Sequence, residues 1–266
     1  MKKKLFTLLF ALFAIVTTAY AQENTIDGHE YVDLGLPSGT LWATCNVGAT
    51  KPEEYGLYFA WGETVGYTSD TSDGHRFIWE AYKWSYGSRS LKKYTGRDGK
   101  TELDLEDDAA YVNWGSNWRM PSKEQQDELR SQCKWEWTQL NGVYGCKVTG
   151  PNGKSIFLPA GGYRYDLYSD FVIYYGFLWS RSLITSDPIR AYTLTFGSSV
   201  YFSKRYRELG QNVRPIINKY DISNGIEIIS REIGNHNDYY SIDGEKLNGE
   251  PKKKGIYIYN GKKVKK

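Results

Sequence analysis

From Glu30 onward the chain alternates short apolar stretches with turn clusters, the pattern of a protein built mainly from strands. Residues 30–34 and 41–47 read as strands, separated by the turn cluster Gly35-Leu36-Pro37-Ser38-Gly39, and residues 55–61 read as another. Residues 62–100 have no clear period. There Gly, Ser, Thr, Asp and Lys interleave with Trp79, Tyr82, Trp84, Tyr86 and Tyr94, which marks a functional or excursion loop. Two helical signals follow. Asp104-Leu105-Glu106-Asp107-Asp108 places carboxylates ahead of Ala109, Ala110 and Tyr111, as a helix N-terminus favours. The same acids resemble a metal cluster, but capping and dipole complementation is the preferred reading. The second helix is predicted from Pro121-Ser122 to about Cys133, with Ser122 and Gln125 spaced as a capping box.

After Lys134 the period returns to two. Trp135 and Trp137 alternate with polar residues, Asn141-Gly142 makes a hairpin turn, and residues 143–148 form the return strand. Pro151-Asn152-Gly153 turns into a strand at 156–158. Residues 160–175 read as a loop carrying Tyr163, Tyr165, Tyr168, Tyr174 and Tyr175, and strands at 177–181, 191–196, 200–203 and 212–217 finish the domain. Mostly antiparallel strands with two helices and long loops define an α+β fold, not a doubly wound sheet. Beyond Asn218, turn signals at Ser223-Asn224-Gly225, Asp243-Gly244, Asn248-Gly249 and Asn260-Gly261 surround short strands such as 256–259, so residues 220–266 read as a small β appendage.

The N-terminus reads as an address. Lys2, Lys3 and Lys4 precede an apolar stretch at 5–16, broken only by Thr7 and too short to span a bilayer. Ala19-Tyr20-Ala21 then predicts cleavage before Gln22, so residues 1–21 are read as a signal peptide. The expected location is extracellular or on the outer cell surface, with the periplasm as the alternative. Membrane contact is expected only through the transient signal peptide. The first Cys after the apolar run is Cys45, too distant for a lipoprotein anchor.

Composition sharpens this picture in two ways. With 266 residues, 40% hydrophobic and 16% aromatic, the chain can bury a sizeable core and is not a disordered protein. Its aromatics are 23 Tyr and 9 Trp against 10 Phe, rings that carry a polar handle and suit binding faces as well as cores. The formal charge of +3 is misleading. Removing Lys2, Lys3 and Lys4 brings the 34 basic residues level with the 31 acidic ones, and residues 245–266 hold a strong excess of Lys. The body is therefore weakly acidic, which argues against a nucleic-acid partner.

Cys45, Cys133 and Cys146 are an odd number, so at least one thiol is free or pairs elsewhere. Cys133 with Cys146 across the hairpin, or Cys133 with Cys45, are the two pairings that export would allow. His29, His75 and His236 form no Cys/His signature, so no catalytic residue, metal site or cofactor is expected.

Several strings, read in order, carry a resemblance. They are Tyr31-Val32-Asp33-Leu34-Gly35-Leu36-Pro37-Ser38-Gly39-Thr40-Leu41-Trp42-Ala43, Glu54-Tyr55-Gly56, and Phe59-Ala60-Trp61-Gly62-Glu63-Thr64. Asp108-Ala109-Ala110, then Asn117-Trp118-Arg119-Met120-Pro121-Ser122 with Glu124, continue the series. Ile156-Phe157-Leu158-Pro159-Ala160, Leu178-Trp179-Ser180 and Val213-Arg214-Pro215 close it. Over residues 28–217 the chain resembles the Fibrobacter succinogenes major paralogous domain family of secreted Bacteroidetes-type proteins. The resemblance implies a C-type-lectin-like fold shared with formylglycine-generating enzymes. The cysteine pair of that oxidase branch is missing from the last third of the domain, and the Glu-Pro-Asn and Trp-Asn-Asp strings of calcium-dependent lectins are missing too. The tail, Tyr240-Ser241-Ile242-Asp243-Gly244-Glu245-Lys246-Leu247 and Gly255-Ile256-Tyr257-Ile258-Tyr259-Asn260-Gly261-Lys262-Lys263-Val264, resembles the end of a type IX secretion C-terminal sorting domain. That resemblance implies the secretion machinery as a partner.

Trp42, Trp61, Trp118 and Trp179 are expected in the core, with Arg119 and Arg214 pairing to buried acids or carbonyls. The expected contact surface consists of Arg164, Tyr165, Tyr168, Tyr174, Tyr175 and Arg181, with Tyr201, Arg205 and Tyr206 on the same face. Rings stack on sugars or protein targets, and Arg adds bidentate bonds to acidic groups. The preferred function is an exported binding or adhesion module recognising a glycan or protein ligand. The alternatives are an enzyme of the oxidase branch and a purely structural surface protein.

Overall fold

The computed structural model describes residues 24–218, 239–241, 247, 251, 255–259 and 262–265. The expected signal peptide at 1–21, its cleavage point before Gln22, and residues 219–238 of the appendage lie outside the described residues. Among the described residues no helix is long and apolar enough to cross a membrane.

Among the described residues four short strands come first: β1 (Thr25–Ile26), β2 (His29–Asp33), β3 (Thr40–Ala43) and β4 (Tyr58–Phe59). Two helices follow, α1 (Ala109–Trp114) and α2 (Lys123–Gln132). Next come β5 (Lys134–Leu140), β6 (Val143–Thr149), β7 (Ser155–Pro159), β8 (Tyr163–Tyr165) and β9 (Tyr168–Asp170). The domain ends with β10 (Gly176–Leu183), β11 (Arg190–Phe196), β12 (Val200–Tyr206), β13 (Gln211–Asn212) and β14 (Ile216–Asn218). The pairings are antiparallel except β10 with β13, so the α+β class expected from the pattern describes the chain.

Two sheets hold the two ends of the domain together. One runs β1-β2-β3-β14 and the other β12-β11-β10-β13-β4, so each joins early strands to the last ones. A third sheet, β5-β6-β7, begins with a hairpin whose turn residues Asn141 (φ 49°) and Gly142 (φ 83°) have the left-handed backbone that Asn-Gly supplies. In α2, Ser122 accepts from the Gln125 amide while Gln125 returns a bond to the Ser122 amide, as the spacing predicted. The expected strand at 212–217 is split in two, because Pro215 cannot donate to a ladder.

Trp42, Trp61, Trp118 and Trp179 are all fully buried. Trp61 donates from Nε1 to the Ser180 carbonyl at 2.8 Å, and Trp179 to the Phe59 carbonyl at 2.9 Å, so the two rings cross-link β4 and β10 reciprocally. Rings of this size contribute roughly 2–3 kcal/mol each through burial; the indole N–H groups of Trp61, Trp118 and Trp179 find carbonyl partners, whereas Trp42 Nε1 is buried without one.

The long loop at 62–100 is not a loose excursion. Phe77, Tyr82 and Tyr94 sink into the body, and buried arginines take the place of a strand ladder. Arg207 donates to the Tyr82 hydroxyl (2.9 Å) and to the carbonyls of Tyr94 (3.1 Å), Pro188 (2.9 Å) and Lys93 (3.2 Å). Arg214 donates to Asn46 Oδ1 (2.8 Å) and to the carbonyls of Ala43, Thr44 and Phe157. Burial pulls its pKa down to about 10. Pairing with buried acids or carbonyls was the expectation for both Arg119 and Arg214, and Arg214 takes carbonyls. Arg119 takes the acid, meeting buried Asp108 at 3.0 Å.

The acidic run divides in a way its composition did not reveal. Asp108 caps α1, accepting from the amides of Ala110 and Tyr111. Asp104, Glu106 and Asp107 do not cap. They surround the Lys93 ammonium at 2.7, 3.0 and 2.6 Å, so a protein cation sits where a metal would be held. Burial opposes the charge on Lys93, but its bonds to Asp104, Asp107 and Glu106 outweigh this and raise its pKa.

The expected disulfides are corrected: Cys45, Cys133 and Cys146 are free thiols. Register explains the local pair. Cys133 precedes Lys134, which pairs with Thr149, whereas Cys146 pairs with Trp137. The two cysteines are therefore offset by four positions, or roughly 13 Å along the strands, beyond the reach of a disulfide. Cys45 packs on a different hydrophobic cluster from Cys133.

In the appendage, β15 (Tyr239–Tyr240), β16 (Ile256–Tyr259) and β17 (Lys262–Lys265) form a three-stranded antiparallel sheet, so the strand expected at 256–259 is present.

Candidate functional site

Residues 160–175, read from sequence as a loop, contain the two-stranded hairpin β8–β9. Its outer side is stitched to distant chain at Arg164 and Asp166. Arg164 and Gly210 exchange backbone bonds at 2.7 and 2.9 Å, and Phe77 and Asp166 exchange another pair at 3.3 and 3.1 Å. These bridges bring the 62–100 loop, the hairpin and the end of β12 to one place. Two glycines permit the approach. A Cβ at Gly210 would lie 2.6 Å from the Phe77 ring, and one at Gly162 (φ 63°) would lie 2.0 Å from the Asp170 carbonyl oxygen.

A cleft of about 520 Å³ opens at this junction. Its aromatic lining residues are Trp79, Tyr163, Tyr165 and Tyr206, and the charged ones are Glu80, Arg89, Arg205 and Glu208. Several ring faces are already occupied. The guanidiniums of Arg89 and Arg190 lie 4.7 and 4.5 Å from the Tyr206 ring centre, and Arg205 lies 5.1 Å from that of Tyr163.

Glu208 is the anomaly. It is 4% exposed, and its Oε2 meets no hydrogen-bond partner. Burial pushes its carboxyl up to about 7; the Glu80 charge adds to this, while its own backbone amide and Arg89 oppose it. Arg205 Nε, on the same lining, is likewise buried without a partner. Unmatched buried polar atoms are few in folded proteins and need a reason.

A second groove, of about 640 Å³, is lined by Trp137, Tyr144, Ile173, Tyr174, Tyr175 and Ser198. The Trp137 and Tyr144 rings lie nearly parallel, 6.1 Å apart and inclined by 16°. Ile173 holds a φ of 67°, a costly backbone for a β-branched residue.

The nine residues expected on one surface separate into four groups. Tyr165, Arg205 and Tyr206 line the cleft, and Tyr174 and Tyr175 line the groove. Tyr168 and Tyr201 are exposed but belong to neither lining. Arg164 and Arg181 are corrections, because both turn inward. Arg164 is fully buried, bonded to Asp73 Oδ2 (3.0 Å) and the carbonyls of Thr68 and His75. Arg181 donates to Glu102 (2.8 Å), Gln125 Oε1 (2.9 Å) and the Met120 carbonyl. Their charges hold loops in place and are spent on internal partners.

Sequence reasoning missed Trp79, Glu80, Arg89 and Glu208 in the cleft and Trp137 and Tyr144 in the groove. The aromatic density of 62–100 pointed towards Trp79, and the hairpin alternation placed Trp137 and Tyr144 on known strands. Nothing local to Glu208 signals its burial. No family model, curated protein or solved structure matches the chain.

Proposed function

We propose that this chain is an exported binding module that recognises a glycan or protein ligand through the aromatic surface around the β8–β9 hairpin. One observation carries the reading. Tyr165, Tyr168 and Tyr174 are 51%, 70% and 65% exposed on a short segment that is bridged to the body at Arg164, in its first strand β8, and at Asp166. Rigid, exposed Tyr gives large contact area at low entropic cost. The motif resemblance supports membership of the Fibrobacter major paralogous family with a C-type-lectin-like fold, and the mainly antiparallel α+β architecture agrees with it.

A thiol-based oxidase reading has less support. Burial raises the pKa of all three cysteines, Cys133 to about 11 and Cys146 to about 12, which keeps the thiols protonated and poorly nucleophilic. We take the β15–β17 tail as a secretion signal. Deleting residues 245–266 is expected to abolish surface delivery, and unchanged delivery overturns that part of the proposal.

The test of the main reading is a glycan array together with a pulldown from candidate target surfaces, using the mature chain from Gln22 and a Tyr168→Ala, Tyr174→Ala double variant. Binding by the parent that drops at least tenfold in the variant supports the loop surface. Equal binding by both proteins sinks it.

A further inference from the structure

We infer that the cleft between Trp79, Tyr165 and Glu208 is a saccharide site that takes an uncharged, hydroxyl-rich sugar ring; this rests on the binding-module reading above. Two residues of the cleft lining carry buried, unmatched atoms just beneath its surface, the Glu208 Oε2 acceptor and the Arg205 Nε donor, which a ligand reaches when those side chains turn outward. A ligand completing both must donate and accept. A sugar hydroxyl does both from one atom, and neighbouring hydroxyls on one ring reach two protein groups at once. Meanwhile the C–H face of such a ring is apolar and fits an aromatic lining. The volume of about 520 Å³ lies within the range of small-ligand sites.

Charge argues against the other ligand classes. The lining carries two acids, Glu80 and Glu208, and two arginines, Arg89 and Arg205; with the Glu208 carboxyl raised to about 7, the net charge near neutral pH stays within one unit of zero and neither ionic sign is strongly complemented. A cation seeking an aromatic cage finds guanidiniums already over Tyr163 and Tyr206, leaving Trp79 and Tyr165 as the rings free of such partners among the described cation–ring contacts. An anion meets two carboxyl groups. An extended peptide would need a strand edge to pair with, but β8 is bonded to β9 on one side and to Phe77 and Gly210 on the other. The orphaned atoms have a purpose on this account. The folded chain keeps an unsatisfied acceptor and donor at some cost in stability, and the bound sugar satisfies them.

The mature chain is titrated calorimetrically with neutral oligosaccharides of glucose, galactose, mannose and N-acetylglucosamine. A uronic-acid oligosaccharide, an oligolysine and an oligoaspartate serve as counter-probes, and indole fluorescence is followed in parallel. The expected result is saturable binding of at least one neutral oligosaccharide with an indole spectral change. Trp79→Ala and Glu208→Leu should each weaken it at least tenfold, and the exposed substitution Val65→Ala should leave it unchanged. Tyr165→Ala, at an exposed position where misfolding is not expected, should weaken it as well, and unfolding midpoints confirm that each variant is folded.

Neutral-sugar binding that survives Trp79→Ala, Glu208→Leu and Tyr165→Ala but is lost in Tyr174→Ala overturns the cleft assignment and leaves the module reading standing. Binding of a charged probe alone overturns the sugar assignment in the same way. Absence of binding to every probe overturns the saccharide site. The array and pulldown described above then decide the module reading separately.

Discussion

Arg207 Nε and the Tyr82 hydroxyl, 125 residues apart in the chain, form a buried hydrogen bond of 2.9 Å. It ties the long 62–100 loop to the turn that carries Glu208. The same guanidinium lies over the rings of Trp61, Tyr82 and Tyr94 at 4.7, 5.4 and 5.6 Å. Replacing Arg207 by Leu leaves three carbonyls and a hydroxyl without their donor. The expected loss is roughly 3 kcal/mol or more, read as a lower denaturant midpoint. Arg207→Lys should recover only part of it, since one ammonium cannot reproduce the planar fork.

Glu208 should make stability depend on pH with an unusual sign. Its carboxyl titrates near 7 in the folded chain against 4.5 as the ordinary value. Between these values the folded state holds a proton that the unfolded state has released. The contribution is therefore fully present below pH 4.5 and is lost as the pH rises through about 7. Glu208→Gln, which cannot ionise, should remove this slope. Its stability gain over the parent should grow from near zero at acid pH to at most roughly 3 kcal/mol at pH 8.5, measured by urea unfolding at both pH values.

Asp108 concentrates several bonds on one buried carboxylate: the amides of Ala110, Tyr111 and Met120 and the Arg119 guanidinium. Asp108→Ala should cost roughly 3 kcal/mol or more by removing the cap of α1 and stranding Arg119. Far-ultraviolet circular dichroism through a thermal scan would show the earlier loss of structure.

The three free thiols predict indifference to reductant. Dithiothreitol should leave the melting temperature of the purified chain from Gln22 onward unchanged. Ellman's reagent should find three thiols after denaturation and react slowly before it, because all three cysteines are held towards the protonated form.

The parts legible in the sequence were those fixed by near neighbours. The capping box at Ser122, the Asn141-Gly142 hairpin and the four core Trp all follow from local patterns. The β8–β9 hairpin was not legible, because its turn at Asp166 adopts φ 50° without a Gly or Pro to announce it. Arg164 read as a surface residue for a related reason: the acid and carbonyls that bury it lie about ninety residues away. Glu208 is the extreme case. Its burial depends on where the 62–100 loop lands, and that landing is set by Arg207, Phe77 and Gly210 acting at long range.

Fastening loops by buried guanidiniums instead of by strand ladders has a practical corollary. Arg164, Arg207 and Arg214 grip mostly main-chain oxygens, which every amino acid carries. The side chains facing outward between those fixed points are then free to be rewritten without loosening the frame. A scaffold of this kind lends itself to being re-aimed at new targets: randomising the outward positions of residues 65–75 and 86–92, with the arginines untouched, would give a library of differently shaped rims on one unchanged body.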